Sequence, residues 1–154
     1  MMTDLPSIWS WHQSPIFKII VGLLIFYVGL KMFAGGMKSL GNVGQLLPFI
    51  SNPYWMFLGG IFCTLLWQSS SLSTTAIVGL VASGILPLPS AIAAVLGANI
   101  GTTGTIWLAA FFVSDGFPKS ETLRIAIMHT GANVLMGLSL LPFVHHMARF
   151  LAKF

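Results

Sequence analysis

Charged side chains are the scarcest feature of this 154-residue chain, since they make up 6% of it, whereas soluble proteins carry roughly 25%. No Lys, Arg, Asp or Glu stands between Lys38 and Asp115, while 56% of the residues are hydrophobic and the mean hydropathy is +0.90. A soluble enzyme, a disordered chain and a nucleic-acid-binding domain each need polar surface that this composition does not supply. The net charge of +4 is therefore not a sign of nucleic-acid binding. The composition predicts an integral membrane protein.

Carboxylates and cysteine are almost absent as well. The three acidic residues, Asp4, Asp115 and Glu121, fall in terminal or loop positions, and the serines have no obvious catalytic base. The single cysteine, Cys63, excludes an intramolecular disulfide. Because Ca²⁺ and Mg²⁺ usually bind carboxylates, we expect no divalent metal site in the uncharged stretch. The sequence predicts neither an enzyme nor a cofactor.

Long apolar stretches fill the rest of the chain. A helix needs about 20 residues, at about 1.5 Å each, to cross the hydrocarbon core of a bilayer. We predict an all-α membrane protein with three transmembrane helices, one of them broken, and one re-entrant helical hairpin. Within one transmembrane domain of residues 1–154, the predicted segments are an interfacial N-terminus at 1–15, transmembrane helices at 16–40, 89–113 and 121–144, the hairpin at 54–86, and a basic tail at 145–154.

A polar cluster at residues 68–75 interrupts the second stretch. The apolar arms on either side are too short to cross a bilayer alone, so we predict two half-helices that enter from one face and meet near the midplane. At the start of the second half-helix, unpaired N–H groups would lie beside neutral donors, which suits reversible binding of an anion. The candidate anion ligands are Gln68, Ser69, Ser70 and Ser71.

Glycines and polar residues are also dense between positions 97 and 105. Glycine costs about 1 kcal/mol relative to alanine inside a helix, so we predict a break that releases backbone carbonyls beside the side-chain oxygens of Asn99, Thr102, Thr103 and Thr105. Oxygen ligands without a carboxylate favour a monovalent cation such as Na⁺. For any single hydroxyl, a bond back to its own helix or a role in close packing remains the alternative.

One polar pair lies on the last predicted span. His129 and Asn133 are four residues apart and share one helix face. Helix packing or an interhelical hydrogen bond is favoured over substrate contact, and a gating role is possible for the pair.

The two polar clusters together resemble the repeat signature of the type II sodium/phosphate cotransporter family. The resemblance rests on Gln-Ser-Ser-Ser at 68–71 and Gly-Ala-Asn-Ile-Gly-Thr-Thr at 97–103, and similarity extends from about residue 20 to 144. It implies sodium-coupled transport of inorganic phosphate, with phosphate at residues 68–71 and Na⁺ at Gln68, Ser69, Asn99, Thr102, Thr103 and Thr105. Gly104 departs from the family pattern.

Copy number is a second departure from the family. Its members resemble two inverted copies of this unit in one chain, whereas one copy is present here. We therefore expect this unit to form half of an inverted-repeat transporter. With an odd number of spans and basic residues nearly balanced between the two faces, we predict an antiparallel, dual-topology homodimer in a bacterial inner membrane that works by alternating access. Two alternatives stay open: a transporter of another small anion, and a non-transporting subunit that packs against a larger partner.

Overall fold

The computed structural model describes residues 14–39, 43–113 and 120–154. Within these ranges every regular element is helical, which confirms the all-α class. The predicted interfacial N-terminus lies almost wholly outside the described residues. The elements are α1 (Pro15–Ser39), α2 (Val43–Ile50), α3 (Pro53–Trp67), α4 (Ser70–Ala82), α5 (Leu88–Val113), α6 (Ser120–Leu140), a 3₁₀ turn (Leu141–Phe143) and α7 (Val144–Leu151).

Two helical stretches, Leu88–Phe112 and Glu121–Leu151, are long and apolar enough to cross a membrane by length and composition. The first predicted span, residues 16–40, coincides with α1, which has 25 residues. Large apolar side chains on these helices are exposed, including Leu23 (63%), Phe112 (80%) and Met128 (73%). Such surfaces need lipid or another protein around them, which agrees with an integral membrane protein.

The predicted break in the third apolar stretch is wrong, because α5 is continuous from Leu88 to Val113. Its glycines pack against a neighbouring helix instead of interrupting the backbone. A Cβ atom added at Gly97 would lie 2.0 Å from the carbonyl oxygen of Phe57, and one added at Gly101 would lie 2.6 Å from that of Ile61. The energy of this close backbone approach offsets the low helix propensity of glycine.

Helix α5 lies at the centre of the fold and contacts α3, α4, α6 and α7. Two buried apolar clusters form along it. The first joins α3, α5 and the 3₁₀–α7 region through Phe57, Ala93, Leu96, Leu141 and Val144. The second joins α4 and α5 through Ile77, Leu86, Ala91 and Ala94.

The predicted basic tail is also helical. The chain passes from α6 through a 3₁₀ turn that contains Pro142 into α7, which buries Val144 and Ala148. Three neighbouring positions of α7 are exposed, namely His145, His146 and Arg149. This amphipathic pattern packs α7 against the start of α5.

Candidate functional site: a helix turn held against α5

The turn between α3 and α4 forms at the first two residues of the predicted polar cluster. Gln68 adopts the left-handed conformation (φ 50°, ψ 28°), and its N–H donates to the carbonyl of Thr64 at 2.9 Å, which ends α3. Ser69 is extended and caps α4, because its Oγ accepts from the N–H of Leu72 at 3.3 Å. A side chain at positive φ is uncommon outside glycine, so the surrounding contacts must hold Gln68 there.

The chain doubles back at this turn. The Thr64 hydroxyl donates to Ser73 Oγ at 2.7 Å, and Ser73 Oγ donates to the Ser69 carbonyl at 3.1 Å. At the far end of the two helices, Met56 from the start of α3 packs on the same buried cluster as Leu80 from α4. One buried hydroxyl pair near the turn and apolar contacts at the open end therefore hold α3 and α4 alongside each other.

Helix α5 contacts the turn directly. The Thr105 hydroxyl donates to Gln68 Oε1 at 2.9 Å, and Gln68 Nε2 donates to the Leu65 carbonyl. A Cβ atom at Gly104 would lie 2.4 Å from Leu65 Cδ2 and 3.7 Å from Gln68 Nε2, so the missing side chain leaves room for this contact. The departure from the family pattern at Gly104 thus lies beside the turn.

The predicted anion ligands come together at the start of α4. Ser69 and Ser70 are half-buried, while Gln68 and Ser71 are exposed. The N–H groups of Ser70 and Ser71 lie in the first helical turn, where no intrahelical acceptor is available. Helices α3, α4 and α5 carry no charged side chain, and the positive end of the α4 dipole favours a negatively charged ligand at this turn.

The predicted cation ligands are only partly assembled. Thr105 meets Gln68, but Thr102 and Thr103 donate to the carbonyls of Ala98 (2.9 Å) and Ile100 (2.7 Å) within α5. Since α5 is unbroken, it does not release backbone carbonyls for a cation. Asn99 is half-buried and lies three residues before Thr102 on the same face of α5. No group of three or more His, Cys, Asp or Glu suited to a metal occurs among the described residues.

The polar pair on α6 bonds within its own helix. Asn133 Nδ2 donates to the His129 carbonyl at 2.8 Å and lies 3.3 Å from His129 Nε2. A hydrogen bond between α5 and α6 joins two other residues, since Trp107 Nε1 donates to Thr130 Oγ1 at 3.0 Å. Sequence reasoning missed this contact, because neither residue belongs to a polar cluster and only the packing of the two helices pairs them.

Comparison with known proteins finds a matching protein family and several similar proteins. The family model described as "Na+/Pi-cotransporter" matches residues 19–148. Sodium-dependent phosphate transport protein 2A of Ovis aries is 37% identical over 123 residues, which is 75% of this chain and 19% of the relative. Human sodium-dependent phosphate transport protein 2B is 34% identical over 131 residues, which is 80% of this chain and 19% of the relative. The uncharacterized protein YqeW of Bacillus subtilis is 32% identical over 80% of this chain and 39% of its own length. The chain thus spans about a fifth of the mammalian relatives, and no solved structure matches it.

Proposed function

Because the chain belongs to the Na+/Pi-cotransporter family, we propose that it carries out sodium-coupled transport of inorganic phosphate across a membrane. The observation that carries this proposal is the turn at Gln68 and Ser69, where α4 begins and where Gln68 is held to α5 by the hydroxyl of Thr105. The family is one of transporters and is not an enzyme class.

In this proposal phosphate binds at the start of α4. The N–H groups of Ser70 and Ser71, the hydroxyls of Ser69, Ser70 and Ser71, and the Gln68 amide supply neutral donors, and the helix dipole supplies the favourable field. No fixed cation is among the proposed ligands, and neutral donors alone favour binding weak enough for release in a transport cycle.

Sodium, the coupling ion, would bind between the turn and α5. The Oε1 atom of Gln68 and the Thr105 hydroxyl are already in contact, and Asn99 lies on the adjoining face of α5. The oxygens of Thr102 and Thr103 keep free lone pairs while their protons are donated to α5 carbonyls. Ion binding here would couple to phosphate binding because both ligands share the Gln68 side chain.

The hairpin is re-entrant in this proposal. Helices of 15 and 13 residues measure about 22 Å and about 20 Å, and each is shorter than the hydrocarbon core of about 30 Å. The polar turn would then lie within the membrane, sheltered on one side by α5. Its other side exposes Leu66 (63%) and Trp67 (46%), and a second, inverted copy of the unit would cover it.

The assembly is proposed to be a dual-topology homodimer in a bacterial inner membrane, with transport by alternating access around the paired turns. A cysteine introduced as Ser71→Cys in a Cys63→Ala background should cross-link two copies in membranes. Reporters of membrane topology should find both orientations, and a single fixed orientation with no cross-link would contradict the homodimer.

The test of function is uptake of radiolabelled phosphate into liposomes that contain only this protein, with and without a sodium gradient. Uptake should require Na⁺ and should resist competition by sulfate. Ser71→Ala should lower uptake. The matched control is Ser83→Ala at the other end of α4, where the Ser83 hydroxyl donates to the Leu80 carbonyl, and it should leave uptake unchanged. Thr102→Ala should lower the apparent sodium affinity before it lowers the maximal rate. Sodium-independent flux, or no flux from a well-inserted protein, would contradict the proposal.

A further inference from the structure

Two cavities of different chemistry adjoin each other where α5 begins. One is an apolar groove of about 480 Å³ between α4 and α5, lined among others by Val78, Val81, Ile92 and Val95. The other, of about 550 Å³, is lined by His145 and Arg149 of α7 together with the first residues of α5. Neither cavity includes the turn at Gln68.

The two cavities share a wall. Leu88 lines both of them, and α7 borders both, with Met147 facing the apolar groove and Arg149 facing the second cavity. A molecule with a charged group and an apolar chain could therefore occupy both cavities at once. The groove supplies a place for the chain, and the second cavity, hereafter the basic cavity, supplies a place for the charged group.

The electrostatic field in the basic cavity favours an anion. Arg149 contributes a guanidinium, and the positive end of the 26-residue α5 opens at Leu88 and Pro89. Within the described residues the one acidic side chain is Glu121, which begins α6, whereas α7 follows the opposite end of that helix. Twenty-one helical residues separate the two ends by about 30 Å, so none of the described carboxylate side chains opposes an anion here.

With α5 crossing a bilayer, the basic cavity would lie near a membrane surface. Helix α3 begins on the same side of the fold, since its Met56 packs near the end of α4, and it exposes Tyr54 (61%) and Trp55 (54%). Tyr and Trp are enriched where a membrane helix enters the headgroup layer. The apolar groove then runs from the headgroup layer toward the hydrocarbon.

We propose that this pair of cavities binds one anionic phospholipid, with its phosphate at Arg149 and His145 and an acyl chain in the groove between α4 and α5. A guanidinium can donate two parallel hydrogen bonds to a phosphate. The positive charge of a zwitterionic choline headgroup is repelled by the same guanidinium, so an anionic headgroup should bind better. Inorganic phosphate lacks the chain that fills the groove and would bind far more weakly.

The test is native mass spectrometry of the full chain in detergent, titrated separately with dioleoylphosphatidylglycerol and dioleoylphosphatidylcholine. We expect one phosphatidylglycerol to bind in preference to phosphatidylcholine. Arg149→Gln should weaken it about tenfold, which corresponds to one lost charge-assisted contact. Lys153→Gln, which removes the same charge from beyond the cavity lining, should change it less than about twofold.

The groove is tested by filling it. Val78 is 52% exposed and lines the groove, so Val78→Trp should displace the lipid, whereas Leu72→Trp, at a similarly exposed (51%) position of α4 outside the lining, should not. Equal binding of the two lipids, equal effects of the two charge variants, or full displacement by millimolar inorganic phosphate would overturn the proposal. It would also be overturned if Val78→Trp left lipid binding intact but dissociated a dimer, because a second copy would then occupy the groove.

Discussion

The substitution Gly97→Ala tests the packing of α3 on α5, which positions the turn. The added Cβ would lie 2.0 Å from the Phe57 carbonyl oxygen and 2.9 Å from its carbon, whereas ordinary contact begins at 3.4 Å. Both opposing atoms belong to the backbone, so no side-chain rotation can relieve the clash. Helix α3 must move away by about 1.4 Å.

This displacement sets the expected energy. A gap of even 0.5–1 Å forfeits roughly a quarter to a half of the dispersion energy of the atoms it separates, and overpacking typically costs about 1–3 kcal/mol. Replacing glycine with alanine inside a helix also stabilises the helix by about 1 kcal/mol, because alanine has the higher helix propensity. Taking the upper end of the cost for a backbone clash, we expect Gly97→Ala to lower the free energy of unfolding by about 2 kcal/mol.

The matched control is Gly131→Ala in the interior of α6, where an added Cβ meets nothing within 4 Å. It should be neutral or stabilising by up to about 1 kcal/mol. Unfolding in mixed micelles, followed by tryptophan fluorescence, measures both variants. If Gly97→Ala proved as stable as Gly131→Ala, the close α3–α5 contact and the explanation given for the continuous α5 would be refuted.

Three further predictions concern the turn. Gln68→Gly should change the free energy of unfolding by less than about 1 kcal/mol, because relief of strain at φ 50° offsets the lost side-chain hydrogen bonds to Thr105 and Leu65. The variant should nevertheless abolish phosphate uptake, and preserved uptake would exclude the amide from the site. Thr64→Val should cost about 1 kcal/mol in unfolding free energy, because it removes the buried bond to Ser73, and Thr64→Ser should restore it; a neutral Thr64→Val would show that the bond contributes nothing. Thr105→Val should raise the sodium concentration for half-maximal uptake with little change in stability, while Thr105→Ser stays near the parent; equal sodium dependence of all three proteins would remove Thr105 from the cation site.

The turn was predictable because its signals are local. A run of capping residues between two apolar arms, with Ser69 at the N-cap position, specifies where one helix ends and the next begins. Local signals wrongly predicted a helix break at residues 97–104, because the helix propensity of glycine does not include the packing of α5 on α3. Gly97 and Gly101 face a neighbouring backbone, and the hydroxyl of Thr102 bonds within its own helix.

The short helix α2 was not anticipated, and the helical form of the tail was not either. Pro48 inside α2 argues against a helix on propensity alone, and the 3₁₀ turn at Pro142 lets the chain continue into α7. In α7 the burial of Val144 and Ala148 against α5 decides the outcome, and that contact is not visible in eight residues of sequence.

By itself, the sequence determined the helical class, the membrane environment and the position of the polar turn, because each follows from composition or from neighbours along the chain. Tertiary structure decided that α5 runs unbroken, that Thr105 reaches Gln68 across 37 positions, and that Trp107 pairs with Thr130. These outcomes depend on which helix faces which, and the energy of packing two backbones closely outweighs the local preference of a glycine.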